Sequence, residues 1–350
     1  MAKKEINPRL GKTGGQAVLE GVMMRTGEKY ATAVRNVDGG ISVKEGAFVS
    51  LRKKSRIAKL PLIRGVVSFV ESLIFSYKTL SESIELSGIG DSTEPESKFD
   101  KWLTEKFGDK LMKIVTVIGT VLGVVLAVGL FILVPTAITS LIEKLTGADL
   151  GIWKNVISGV IKIIIFILYM LIVSLQKDIR RVFEYHGAEH KTIYTYEKNE
   201  PLTVENVKKG CRFHPRCGTS FIFVILLISI MVSVIANFFV NTWSSVPLQF
   251  LTKLLLLPVV VGIGFEFLMY AGKHDNLFTR ICSAPGLWMQ RITTKEPDDG
   301  QIECAVTALL RSLPWDEAKE EAEKTDVPMY PDNKADGSDE EKEPAEFEAE

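Results

Sequence analysis

The chain is short of histidine and cysteine, with four of each in 350 residues. Four cysteines (Cys211, Cys217, Cys282, Cys304) without a dense or regular spacing exclude a disulfide-stapled scaffold and read as thiols or metal ligands. The opening stretch MAKKEINPRLGKTGGQ has no apolar core, so no cleavable secretory signal is expected. No phosphate-cradling loop and no serine-based triad stands out. Large apolar residues are almost missing from 316–350, where 15 acidic residues outnumber 4 basic ones. Such a stretch cannot bury enough surface to fold, and 314–350 is expected to be a disordered, solubilising acidic tail.

What the chain has in quantity is apolar residue, 46% by the wider count, beside 24% charged residue. The mean hydropathy of +0.16 is high for so charged a chain. Net charge is −1 overall, and removing the −11 of 316–350 leaves +10 on the preceding residues. The apolar residues fall into four runs, about 111–135, 152–175, 219–243 and 247–271, each near the roughly 20 residues a helix needs to cross a bilayer. No period shows within them, as for helices apolar on all sides. The last two runs are so close that a tight helical hairpin is expected.

Lysine and arginine set the orientation. Lys98, Lys101, Lys106 and Lys110 precede the first run, and nine basic residues from Lys177 to Arg216 lie between the second and third. The first-to-second connection has Lys144 and, at its edge, Lys154; the third-to-fourth has none. Both termini and the central connection are therefore expected in the cytoplasm. Charged residues also fall within the runs. Lys162 can snorkel, and Glu266, near the inner end of the fourth, is a functional candidate preceded by Pro258, Gly262 and Gly264, a pattern of kinking and close packing.

Residues 1–60 read as a cytoplasmic β-rich segment. YATAVRNVDGGISVKEG gives strand, Asp-Gly-Gly turn, strand. Residues 61–88 carry Leu62, Val66, Val67, Val70, Leu73, Ile74 and Tyr77 at helical spacing, with Glu71 and Lys78 opposite. They are expected to form an amphipathic helix on the inner membrane surface, the basic cluster at 52–59 against anionic headgroups; the rival is a core helix of a small domain. In 272–313, RITTKEPDD reads as a strand running into a turn. Asp298 or Asp299 then caps a helix with Ile302, Val306, Leu309 and Leu310 on one face. The N-terminal hairpin and this strand–helix unit are expected to pack as one small α+β domain under the four-helix bundle of 111–271.

The candidate chemistry lies in EYHGAEHK, 184–191. His186 and His190, four apart, share one helix face and can reach one metal ion. Glu189 lies near that face, and H-x-x-E-H resembles the inverzincin order, in which the glutamate is general base for zinc-activated water. Alone the motif is weak, and Gly187 weakens the helix. CRFHPRCGTSF adds His214 and Cys217 in the same connection, with Cys211 as a further candidate. His186, His190, His214 and Cys217 supply a tetrahedral donor set suited to a divalent metal, zinc above all. Four ligands would close the site as structural; three would leave a position on which Glu189 could act. Glu266 sits at the sequence distance of an inverzincin's third ligand, but lies at membrane depth. A helix continuing from the second run would carry His186 ~15 Å past the membrane edge, so it has to break or bend back. His274 is a similar outsider. GGQ at 14–16 matches the release-factor tripeptide, but no tRNA-binding context accompanies it, and no nucleic-acid partner is expected.

Together GGQAVLEGVMMR, YHGAEHKTIYTYE, HPRCGTSF and PGLWMQRITTKEPDDGQIECAVTAL resemble the YqhQ-like family of bacterial membrane proteins, over about 14–313. The family is one of unknown function labelled a predicted metal-dependent enzyme. The resemblance implies a metal site at His186, Glu189, His190, His214 and Cys217. It also implies that Glu20, Arg25, Glu296 and Asp298 line the same cytoplasmic face. The family pattern has an aliphatic residue where Cys304 stands, so Cys304 is not counted as a ligand. Three functions follow. The first is a zinc hydrolase at the cytoplasmic membrane surface, with Glu189 catalytic and a peptide bond as the preferred target. The second is a non-enzymatic, metal-stabilised scaffold that binds membrane-protein biogenesis or transport machinery. The third is transport through the bundle by way of Glu266, disfavoured by the few polar residues in the spans.

Overall fold

The computed structural model describes residues 7–88, 110–239, 246–271, 274 and 276–328. The chain opens with an antiparallel meander, β1 (Thr13–Val18), β2 (Gly21–Thr26), β3 (Lys29–Arg35) and β4 (Ile41–Ala47), paired in chain order. The expected Asp-Gly-Gly turn joins β3 to β4, with Gly39 at φ +89° and the Asn36 amide donating to the Gly40 carbonyl at 2.8 Å. Gly21 lies so close to β3 that a Cβ there would sit 2.2 Å from the Ala33 carbonyl oxygen.

Side chains alternate across this sheet, and both faces are covered. On one face Val22, Met24, Ala33 and Val43 pack against helices α5 (Lys177–Glu197) and α10 (Asp299–Ser312). Ile302, Val306, Leu309 and Leu310 of α10 are all buried there, and the predicted cap is present: Asp298 accepts from the Gln301 amide while Gln301 answers from its side chain. On the other face Val18, Met23, Tyr30 and Val34 meet Phe75 of α2 (Ile63–Ser87), with the Tyr30 and Phe75 rings edge-on at 4.9 Å.

Helix α2 is inverted relative to a helix of a globular core. Its buried side is Glu71, Phe75, Thr79, Glu82, Ser83 and Ser87, while Val70, Leu73, Ile74 and Tyr77 face outward. Glu82 is compensated by the Tyr30 hydroxyl at 3.3 Å and by Lys44 and Lys78 at 3.6 and 3.9 Å. The outer part of the apolar stripe, Val70, Leu73, Ile74 and Tyr77, is thus left exposed, while its start at Leu62 packs on the fourth apolar helix.

Four helices are long and apolar enough to cross a membrane: Val117–Thr146, Trp153–Val173, Phe221–Phe239 and Leu248–Ala271. They belong to α3 (Lys110–Val128 and Val134–Thr146, joined by a π-turn at Gly129–Leu133), α4 (Trp153–Val173), α7 (Gly218–Phe239) and α8 (Val246–Ala271). The first runs well past its expected end at Pro135. The π-turn absorbs the proline's missing donor and the helix continues to Thr146. The expected hairpin turn between the third and fourth falls at 240–245, outside the described residues. In α8, Gly262 receives Leu62 and Gly65 of the α2 entry, and Gly264 receives Phe221 of α7, so both glycines serve close packing as expected.

Two expectations are corrected. RITTKEPDD forms no strand: Arg291 to Thr293 end α9 (Leu277–Thr293), and 294–298 is coil. The helix is set by a capping box at Asn276 and Thr279 and is stopped by extended Thr294. Lys295 then makes a single backbone bond to the Phe183 carbonyl, 2.8 Å, in place of a ladder. The acidic segment also begins folded. Helix α11 (Trp315–Ala322) buries Ala318, and Val327 follows it into the core. Arg9 supplies the missing counter-charge, 2.8 Å from Glu321 and 3.5 Å from Glu317. The rest of the tail, 329–350, lies outside the described residues.

Candidate metal centre

The break demanded by membrane depth is present. α4 ends at Val173, Gln176 is extended, and α5 begins at Lys177. α5 can then lie against the sheet, and Gly187 allows it. A Cβ at Gly187 would come within 1.9 Å of the Lys295 carbonyl oxygen, so the glycine that weakens the helix is the point where the 293–297 chain crosses it.

That crossing orients the first imidazole. His186 Nδ1 lies 2.8 Å from the Thr293 carbonyl and therefore donates to it, which leaves Nε2 as an acceptor 3.2 Å from Cys217 Sγ. His190 repeats the device, its Nδ1 donating to the Arg212 carbonyl at 2.5 Å. The two rings are 4.4 Å apart. His186, His190 and Cys217 each offer a ligand atom within 4.8 Å of the others. His190 is 1% exposed and Cys217 8%. Burial, and to a lesser extent the His186 charge, pushes the His190 imidazole below its ordinary value, against the Cys217 and Arg212 contacts that raise it; the neutral, ligating form is favoured.

His214 is brought near but not in. Its ring is 5.6 Å from that of His190, and its Nε2 lies 3.3 Å from the Arg216 guanidinium and 3.6 Å from Glu197. Its backbone carries the structural role: Gln290 of α9 accepts from the His214 amide and donates to its carbonyl, both at 2.7 Å, copying a strand pairing with one side chain. Cys211 Sγ lies 3.7 Å from the Phe213 carbonyl and is not among the converging ligand atoms.

Glu189 lies under β1, 5% exposed, with Gly15 leaving just enough room: a Cβ there would be 2.8 Å from Glu189 Cγ. Burial pushes its carboxyl up to about 7, against the opposing pull of His186 and the Gly15 amide. The other acidic residues implied to line the face have separate duties. Glu20 pairs with Arg181, Glu296 clamps Lys191 (2.6 Å) and Arg212 (3.1 Å), and Asp298 is a cap. Arg25 projects from the opposite face of the sheet to Met24, toward Phe48. Gln16 accepts from Ser76 of α2 at 2.7 Å, so GGQ is part of the sheet–helix packing. Glu266 grips Arg64 with both oxygens, 2.6 Å at Oε1, and is not a ligand candidate; exposed His274 stacks on Tyr270. Cys304 is a core thiol, pushed up to about 12 by burial.

Glu197 ties this end of the molecule together, receiving the Gly11 amide at 2.8 Å, Arg216 and His214. Burial raises its carboxyl, but those three donors outweigh burial and hold it below its ordinary 4.5. A depressed carboxylate contributes stability above its unfolded value that is lost as pH falls through the folded one. The urea midpoint is therefore expected to fall between about pH 5 and pH 3, and Glu197→Gln to flatten that fall.

Fold and site define a class: four helices of membrane-spanning length and composition, joined to a helix–sheet–helix unit that carries a His-His-Cys cluster with His190 and Cys217 buried and His186 half-buried. The chain belongs to the DUF1385 family, described as a protein of unknown function, which matches residues 60–315. It is 35% identical over 325 residues to the uncharacterised protein YqhQ of Bacillus subtilis (strain 168), covering 93% of this chain and 98% of that protein. No solved structure matches it.

Proposed function

We propose that the chain is a multi-pass protein of the bacterial cytoplasmic membrane, both termini in the cytoplasm, that holds a divalent metal, zinc, through His186, His190 and Cys217. The observation that carries this is the paired Nδ1 anchoring. Both imidazoles spend one nitrogen on a backbone carbonyl, and the other ligand atoms converge with the thiol within 4.8 Å. Outer hydrogen bonds of that kind fix the tautomer of ligating histidines. A nitrogen–nitrogen–sulfur set suits zinc, and three protein ligands leave one tetrahedral position open. A bound zinc would supply Lewis acidity there. Glu189, three residues from His186 and within reach of its electrostatic pull, would take or return a proton in a hydrolase with a peptide bond as preferred target.

A second reading has its own support. Glu189 and His190 are almost closed to solvent, as befits a metal that fixes a scaffold for membrane-protein biogenesis or transport machinery. One set of samples separates the two: wild type, His190→Ala and Glu189→Gln, purified in detergent and analysed for metal content, melting temperature and cleavage of a fluorogenic peptide library. The hydrolase reading expects His190→Ala to lose metal, Glu189→Gln to keep it, and both to lose cleavage. The scaffold reading expects metal removal to unfold the wild type and Glu189→Gln to be silent. Wild type without stoichiometric metal would end both.

A further inference from the structure

On the far side of the sheet from the cluster, a cavity of about 450 Å³ opens between the β2–β3 turn and the start of α2. Five cationic side chains line it (Arg25, Arg52, Lys53, Lys59 and Arg64) against one carboxylate, Glu28. Two cations are neutralised: Lys53 pairs with Glu28, and Arg64 with Glu266. Arg25, Arg52 and Lys59 have no ion pair among the described residues. The fold holds two of them in place without cancelling their charge. Arg25 lies 4.7 Å over the Phe48 ring and donates to the Gly27 carbonyl at 3.1 Å. Arg52 donates to Ser50 Oγ at 3.3 Å and lies 5.7 Å from the Phe265 ring of α8. The nearby carboxylate of Glu71 is occupied by the Ser50 hydroxyl and the Leu51 amide.

The surroundings of the cavity are apolar. Leu51, Ile57 and Leu60, in the segment that supplies Arg52 and Lys59, are each half exposed or more, and the outward stripe of α2 begins beside them. Contact with Phe265 puts the cavity at the level of the inner end of the fourth span. Guanidinium forks match phosphate oxygens two at a time, and a lysine adds a point charge. We infer that this cavity binds the phosphate of an anionic phospholipid headgroup, with Arg25, Arg52 and Lys59 on the phosphate and the acyl chains along the exposed apolar residues. This rests on the membrane reading above and is independent of the metal.

The test uses full-length protein in neutral detergent, titrated with short-chain phosphatidylglycerol, short-chain phosphatidylcholine and glycerol phosphate, and read by native mass spectrometry. Phosphatidylglycerol is expected to bind about tenfold or more tighter than phosphatidylcholine, and the Arg25→Gln/Arg52→Gln/Lys59→Gln variant to lose that preference. Lys59→Glu, at an exposed position, is the second variant, expected to weaken binding about tenfold while melting temperature and metal content stay at wild-type values. Equal binding of both lipids, or full preference retained in both variants, overturns the assignment. Glycerol phosphate binding as tightly as phosphatidylglycerol, with the same sensitivity to substitution, would make this a soluble phosphate-ester site and overturn the lipid source. Wild type lacking metal but showing the lipid preference would count against the metal centre alone. Wild type released from membranes by alkaline carbonate would count against the membrane reading.

Discussion

Gly187→Ala is expected to cost about 3 kcal/mol of stability and to scatter the His186–Cys217 cluster. The methyl group would enter at 1.9 Å from the Lys295 carbonyl oxygen, and what it meets is backbone, which has no rotamer to escape into. α5 and the 293–297 chain must separate. Two bonds hold that chain to the helix: the Lys295 amide to the Phe183 carbonyl, and His186 Nδ1 to the Thr293 carbonyl. Losing the second frees the imidazole to turn away from the thiol. Gly123→Ala, at a site with nothing within 4 Å of the added carbon, is the matched control. Urea midpoints and the rate at which Cys217 reacts with a thiol reagent give the two readouts. A midpoint equal to that of the control, with Cys217 still protected, would show that the two segments are not in contact.

The parts of this molecule legible in the sequence are those fixed by local chemistry. The Asp-Gly-Gly turn, the Asp298 cap and the α10 stripe all depend on residues within a few positions of one another. The apolar runs were equally plain, because a helix surrounded by lipid needs no pattern beyond length. Pairing His186 and His190 with Cys217 was also readable, since scarce residue types crowd into one connection. What could not be read was every residue that acts at long range through backbone. Gly187 showed only its poor helix propensity; its partner lies 108 residues on. Gln290 gives no signal in the sequence beyond its polarity. His214 shared the histidine signal of its neighbours, yet its imidazole faces Glu197 and Arg216, and residue type does not say which way a ring turns. α9 was hidden because Pro285 and Gly286 imitate a loop, whereas its start is set by the Asn276 cap.

The inverted α2 shows how those levels combine. In a globular domain a stripe of apolar residues at helical spacing is the buried face, and here Leu73, Ile74 and Tyr77 are the exposed one. The polar side is buried because the sheet offers partners for it: the Tyr30 hydroxyl and Lys44 at Glu82, and the Gln16 side-chain oxygen at Ser76. Such an arrangement is stable in water only if something covers the stripe. The entry of α2 packs against Gly262 of the fourth apolar helix, with Arg64 locked to Glu266, so the stripe begins beside a helix of membrane-spanning length.

Gln290→Leu tests the long-range part of the site most sharply. The side chain is fully buried, and its amide satisfies both the N–H and the carbonyl of His214, three residues from the Cys217 ligand. Leucine fills nearly the same volume, so packing is little changed while the His214 amide loses its Gln290 partner and its carbonyl keeps only the 3.4 Å contact from the Cys217 amide. Each such loss costs about 1–3 kcal/mol, and the chelator-treated variant is expected to unfold with a stability about 2–4 kcal/mol lower. The connection carrying Cys217 would also lose its anchor to α9. Removing an outer support of a ligand typically weakens metal binding about 10–100-fold, which competition against a chromogenic chelator measures. Gln290→Glu sharpens the distinction. It can still accept from the His214 amide but, when ionised, repels the carbonyl, so it should fall between wild type and leucine in affinity and recover toward wild type at low pH as the carboxyl regains a proton. An equal loss of stability in both variants with wild-type metal affinity would confine Gln290 to the fold; a loss of affinity that tracks the donor count would make it part of the metal centre.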